Sequence, residues 1–314
     1  MTIVEGITNR VLSIVGSALI LMFFSEFFFM NEGPVDTVMS LRTTPGTAII
    51  GLVETTAYYA LAAWAFLLLL PSAQQRGMAG VFLVACLYGW ITEGAIVPVV
   101  HEAPPISWIW TSVSWHAPID VFLGLYLLRQ VLCAPTPWAS VALHAATGIA
   151  WGLWSTWTWS EPKSQHLSGS DFLFFTVVTS GIWALGLVLL SRARVWHSVA
   201  PERWSIFLIV WALGLLWAAA ALPLSIGPLA LSALALWMIL RPGETDRQSA
   251  DLPAGAFPAN RLWHVVLAAI TATGTVWLCD GMGWMIPTEE ITAAFFMAGS
   301  AALIWAYWQA FTLR

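Results

Sequence analysis

The chain has 314 residues, of which 59% are hydrophobic and 9% charged, and its 17 acidic and 12 basic side chains leave a net charge of −5. Soluble domains carry roughly a quarter of their residues as charged side chains, so an ordinary water-soluble fold is excluded. The expected partner is the lipid bilayer, with a lipid, a small apolar molecule or a cation as ligand and no nucleic acid.

Apolar runs separated by Gly, Pro and polar clusters predict helices at 11–30, 47–70, 79–100, 106–128, 138–158, 172–190, 204–222, 224–240, 262–280 and 288–312. The fold class is therefore an all-α integral membrane protein, a polytopic bundle of about ten transmembrane helices forming one membrane domain over 1–314. The first run, ending at Met30, is too long for a secretory core and ends without a small-residue cleavage site. As one helix, 204–240 would reach about 55 Å, well past a hydrocarbon core of about 30 Å. Pro223, Gly227 and Pro228 are expected to split it into a hairpin. The segment 242–260, rich in Pro, Gly, Ala and Asp, reads as a flexible cytoplasmic loop.

Ten spans put Arg10, Arg76, Arg129, Arg192, Arg194, Arg203, Arg241, Arg247, Arg261 and Arg314 on one side, and only Arg42 and Lys163 on the other. The positive-inside rule then makes both termini cytoplasmic, in a bacterial inner membrane. Most of the 21 tryptophans fall near helix ends, where amphipathic rings favour the headgroup region. Trp151, Trp154 and Trp157 make one aromatic face, read as packing. Cys86, Cys133 and Cys279 are too scattered for a disulfide framework or a CxxC site.

Chemistry is expected in the outer half of the first four helices, which carry Glu26, Glu54, Glu93, His116 and Asp120. Counted from the helix ends at 1.5 Å per residue, Glu54 and Glu93 lie about 10 Å deep, His116 about 15 Å and Asp120 about 20 Å. A carboxylate at such depth costs about 2.5–3.5 kcal/mol on insertion scales, so these groups need a proton, a partner, a metal or water. His116 and Asp120 stand at i, i+4 on one helical face, where the acid can orient the imidazole. Pro118 between them should kink the helix and free the carbonyl of Ser114. The expected catalytic set is Glu54, Glu93, His116 and Asp120. Tyr58, one turn below Glu54, is the expected proton relay. Glu54, Glu93 and His116 would suit a divalent zinc, iron or manganese ion. Glu26, His101 and Glu102 are read as a solvated vestibule above them.

Several membrane chemistries are excluded by missing residues. The one lysine, Lys163, falls in a loop, so no Schiff base forms within the bundle, and no HxxxH or HExxH pair exists. What remains is a membrane enzyme using acid/base or metal-assisted chemistry on a lipid or apolar substrate. The alternatives are a cation- or proton-coupled transporter and a structural or cofactor-holding membrane subunit.

Overall fold

The computed structural model describes residues 3–161, 166–167, 169–193, 209–210, 212–214, 217, 226–241 and 257–312. Among them the chain is helical throughout, with no strand. Its α-helices are α1 (Ile3–Met22), α2 (Glu32–Met39), α3 (Pro45–Gln74), α4 (Gly77–Ile91), α5 (Leu128–Cys133), α6 (Trp138–Ser155), α7 (Gly169–Arg192), α8 (Ile226–Leu240), α9 (Trp263–Met282) and α10 (Thr288–Thr312). Several are bounded by local chemistry. Pro45 opens α3, where a missing amide hydrogen costs nothing. Gly77, at φ 65°, makes the left-handed turn into α4. Gly283, at φ 63°, closes α9 while Trp284 N–H returns to Cys279 O at 2.9 Å.

Among the described residues six helical segments are long and apolar enough to cross a membrane: Glu5–Phe27, Pro45–Gln74, Gly77–Ile96, Gly169–Arg192, Ala259–Met282 and Thr288–Thr312. Three of the other expected spans are not among these six. The run at 106–128 is broken, beginning as a 3₁₀ turn at Ile106–Trp108 and becoming a π-helix at His116–Leu127 that leads into α5. The run at 138–158 is the 18-residue α6 followed by a 3₁₀ turn, and the run at 224–240 is the 15-residue α8. Most of the run at 204–222, its turn at Pro223 and most of the 242–260 loop lie outside the described residues.

Close helix contacts depend on small residues, as expected where lipid supplies no hydrophobic drive between helices. The strongest case joins α6 to α9. A methyl group at Gly148 would collide with Ala268 O, and one at Gly152 would meet Thr275 Cβ at 2.7 Å. Thr271 seals the contact by donating to Ala145 O at 3.2 Å. Arginines close helix ends: Arg76 donates to Arg241 O, Arg241 to Ala310 O, and Arg261 to Leu132 O and Ala134 O. Each supplies a donor to carbonyls that have no partner within their own helix.

Candidate functional site

Three π-helical turns position the site. α1 widens at Phe23–Phe27, α4 at Thr92–Ile96, and the fourth run at His116–Leu127. Such turns shift the side chains that follow, and they concentrate at functional sites. The last of them surrounds Pro118, whose absent amide cannot hold an ordinary helical bond, and His116 N–H instead reaches five residues back to Thr111 O at 3.0 Å. Gly89 on α4 lets this segment come close, since any side chain there would strike Ser112 O.

At the centre is His116, fully enclosed, with a carboxylate on each ring nitrogen. Nδ1 lies 2.7 Å from Asp120 Oδ2 and Nε2 lies 2.6 Å from Glu93 Oε1. A neutral imidazole has only one N–H. Two hydrogen bonds therefore require two protons on the line: an imidazolium between two carboxylates, or a neutral ring with one carboxylic acid. Both arrangements carry a net charge of −1, so they interconvert by moving protons along the line. Tyr88 adds a donor to Asp120 Oδ2 at 3.3 Å and sets its ring edge-on to the imidazole.

A second branch runs through α1. Glu26 Oε1 accepts from Tyr59 at 2.5 Å, and its Oε2 accepts from Asn31 Nδ2 at 2.6 Å. The Tyr59 oxygen is also 2.5 Å from Ser25 Oγ, which is 3.4 Å from His116 Nδ1. A phenol has one hydrogen, so one of the two Tyr59 contacts must be donated by its partner. The buried network thus extends from Asn31 through Glu26, Tyr59 and Ser25 to the Asp120–His116–Glu93 line.

This network opens into a cavity of about 300 Å³. Ser25, Asn31, Glu93 and His116 form its polar side, while Phe29, Trp110, Trp115, Trp154 and Trp157 form an aromatic wall. Its remaining lining comes from the connections after α4 and α6 and the start of α10, including Val97, Glu161 and Thr288. Three of the indoles spend their N–H on α1: Trp115 donates to Phe24 O at 3.2 Å, and Trp154 and Trp157 both donate to Phe29 O, at 3.0 and 2.9 Å. Trp151 does the same for Phe27 O at 3.0 Å. One turn back along α1, Phe23 stacks on Trp183, which in turn stacks on His144.

Of the expected site residues, Glu93, His116 and Asp120 meet. Glu54 does not join them. It lies on an exposed face of α3 beside Val53 and Tyr58, both exposed, because Tyr58 is one turn from Glu54 and must share its side. Tyr59, a hundred degrees around the helix, is the tyrosine that enters the network, so the expected relay at Tyr58 is corrected to its neighbour. Glu26 is not a vestibule residue but 3% exposed and part of the network. Glu102 is exposed, and His101 packs edge-on to Trp217 rather than lining the cavity. With Glu54 elsewhere, the expected zinc, iron or manganese set is not assembled. Among the described residues no group of three His, Cys, Asp or Glu side chains is arranged to hold a metal.

Tyr59, Tyr88, Ser25 and Asn31 were not singled out from sequence. Their only signal is proximity to an intramembrane acid: Ser25 adjoins Glu26, and Asn31 follows it by five residues. Comparison with protein families, with curated proteins and with solved structures finds no match to this chain.

Proposed function

We propose that the protein is a multi-pass membrane enzyme whose Glu93–His116–Asp120 line performs acid/base chemistry on a lipid or other apolar substrate held in the tryptophan-walled cavity. The observation that carries this reading is one imidazole bonded at both nitrogens to carboxylates, one of which, Glu93, also lines the cavity. When Glu93 takes a proton from a substrate and later returns it to the product, the bond to His116 holds the carboxylate in place and offsets its change in charge, as a general acid or base needs. An apolar wall with a few convergent polar groups is the usual make-up of a small-molecule site.

The arginine bias supports ten spans with both termini on the cytoplasmic side of a bacterial inner membrane. Reporter fusions at either terminus and within 242–250 should all report the cytoplasmic side; a terminus exported across the membrane overturns this orientation.

The reaction is tested by incubating the purified chain in lipid nanodiscs with a polar-lipid and metabolite extract in D₂O and H₂¹⁸O, followed by mass spectrometry. A compound that gains label with the wild type and not with Glu93→Gln is expected. If no compound does so, the enzyme reading fails.

A cation- or proton-coupled transporter is the second reading, favoured by one observation. Across the Phe23–Trp183 stack, Ser13, Ser17, His144 Nε2 and His264 Nε2 are buried without hydrogen-bond partners among the described residues, a second polar layer such as a gated path requires. Proton-linked flux in vesicles that Glu93→Gln abolishes, with no labelled product, would favour it.

A further inference from the structure

We propose that the cavity takes a small organic cation, an ammonium group resting against indole rings with Glu93 as its counter-ion. This rests on reading the cavity as the ligand site of the proposed function, and departs from it in one respect: the occupant is a small cation rather than a lipid or apolar molecule.

The wall comes first. Trp115 and Trp154 have ring centroids 4.8 Å apart, and Phe29 lies 4.8 Å from Trp115 and 5.6 Å from Trp154. Trp157 extends the patch, 6.0 Å from Phe29. The N–H groups of Trp115, Trp154 and Trp157 are already committed to carbonyls of α1. What these rings keep for the cavity is carbon surface with no N–H to donate, and their faces attract a cation.

Charge points the same way. Among the described residues the cavity is lined by two carboxylates, Glu93 and Glu161, and by no Lys or Arg. A carboxylate has acceptor capacity beyond the one bond Glu93 Oε1 makes to His116. A hard metal ion wants six or more oxygen ligands, and a mostly aromatic wall cannot supply them. A phospholipid headgroup would bring a phosphate, for which the described lining offers only His116, and carboxylates already take both of its ring nitrogens. A free organic ammonium is left, and a volume of about 300 Å³ stands at the small end of ligand pockets.

An independent feature marks the same space. Thr111 lines the cavity at 7% exposure, its Oγ1 buried and without a hydrogen-bond partner among the described residues. Its backbone is at φ 59°, an outlier for a β-branched residue. A hydroxyl left bare beside a carboxylate and aromatic rings suits a ligand that carries both a cationic nitrogen and a polar group.

The test is a titration of the full chain in phosphatidylglycerol nanodiscs with choline, tetramethylammonium and 3,3-dimethylbutan-1-ol, the uncharged isostere of choline, read by tryptophan fluorescence and calorimetry. Choline should bind at least tenfold tighter than the isostere. Glu93→Gln and Trp154→Leu should each erase most of that preference while remaining monodisperse and helical by circular dichroism, and Tyr58→Phe, on the exposed face of α3, retains it. Equal or weaker binding of choline, or a preference that survives both substitutions, overturns the proposal. Repeating the titration in phosphatidylcholine nanodiscs separates the sources: unchanged affinity is expected, whereas a tenfold loss would make a lipid headgroup the occupant and overturn the free ammonium. Failure of the enzyme reading is seen separately, as absence of Glu93-dependent label uptake, and does not alter these affinities.

Discussion

Glu93→Gln should make the protein more stable while abolishing the acid/base chemistry proposed for it. The Asp120–His116–Glu93 line holds two protons and one net negative charge in a site where both carboxylates and the ring are buried. Glutamine keeps the length of the side chain, and its carbonyl accepts from Nε2–H, so an imidazolium still donates at 2.6–2.7 Å to both sides. Only the surplus charge is gone. A carboxylate within the bilayer costs about 2.5–3.5 kcal/mol, and exchanging a charge-assisted bond for a neutral one forfeits about 1–1.5 kcal/mol, leaving a net gain of about 1–2 kcal/mol. His116→Ala acts oppositely: two buried carboxylates lose their shared donor, and an uncompensated buried charge costs about 3–5 kcal/mol. Substitutions at the two ends of one hydrogen bond should thus move stability in opposite directions, by a difference of at least about 4 kcal/mol. Equilibrium unfolding in mixed micelles of dodecyl maltoside and sodium dodecyl sulfate measures both. A Glu93→Gln variant destabilised by more than about 1 kcal/mol would mean that the carboxylate holds the fold together, and the functional reading would lose the observation that carries it.

Three further outcomes can be read from the same unfolding assay. Tyr59→Phe removes the donor to Glu26 and should cost about 1.5–3 kcal/mol, whereas Tyr58→Phe, on the exposed face, should stay within about 0.5 kcal/mol; equal effects would contradict the assignment of Tyr59 to the network. Gly148→Val places a branched side chain against Ala268 O and should cost at least about 1–3 kcal/mol by forcing α6 and α9 apart. An unchanged midpoint would refute that packing. Trp154→Phe leaves Phe29 O one donor short and should cost about 1 kcal/mol, and a neutral result would show that the Trp157 bond alone satisfies that carbonyl.

Depth was legible in the sequence and azimuth was not. Counting residues from loop ends placed Glu93, His116 and Asp120 in neighbouring layers, and the i, i+4 spacing of the last two gave their contact, since helical rise and periodicity are fixed by the backbone. Glu54 has a similar depth, but α3 is apolar on every side, with Ile50 and Val53 exposed and Ala62, Ala63 and Phe66 buried. A helix in lipid carries no polar face to show which way it turns. Nothing in the sequence therefore distinguished Tyr58 from Tyr59, and the choice between them decides which acid has a partner. Glu26 was misread for a related reason. Its place near the end of the first run suggested a solvated vestibule, yet the π-turn at Phe23–Phe27 keeps it buried, and a π-turn has no sequence signature of its own. The six long apolar spans among the described residues were readable from composition, whereas the run at 106–128, expected only to kink at Pro118, also begins as a 3₁₀ turn and winds as a π-helix from His116.

The tryptophans of α6 show why the aromatic wall and the acidic network belong together. A helix that ends inside a membrane protein leaves carbonyls without partners, and hydrocarbon supplies no water to satisfy them. At the end of α1 that role falls to indoles, with Trp115, Trp151, Trp154 and Trp157 donating to Phe24, Phe27 and Phe29. Those same carbonyls belong to the turn that holds Ser25 and Glu26 against Tyr59 and His116. A spacing of three residues along α6 thus fixes the cavity wall and the α1 branch of the network to one another. A ligand that moved Trp154 or Trp157 would pull on Phe29 O, three residues from Glu26, so occupancy of the cavity and the position of the network's second acid are mechanically joined. The expected packing role of this aromatic face is fulfilled by Trp151, which sits fully buried among Phe23, Phe172 and Phe175. One and two turns further on, the same face becomes the wall of the site.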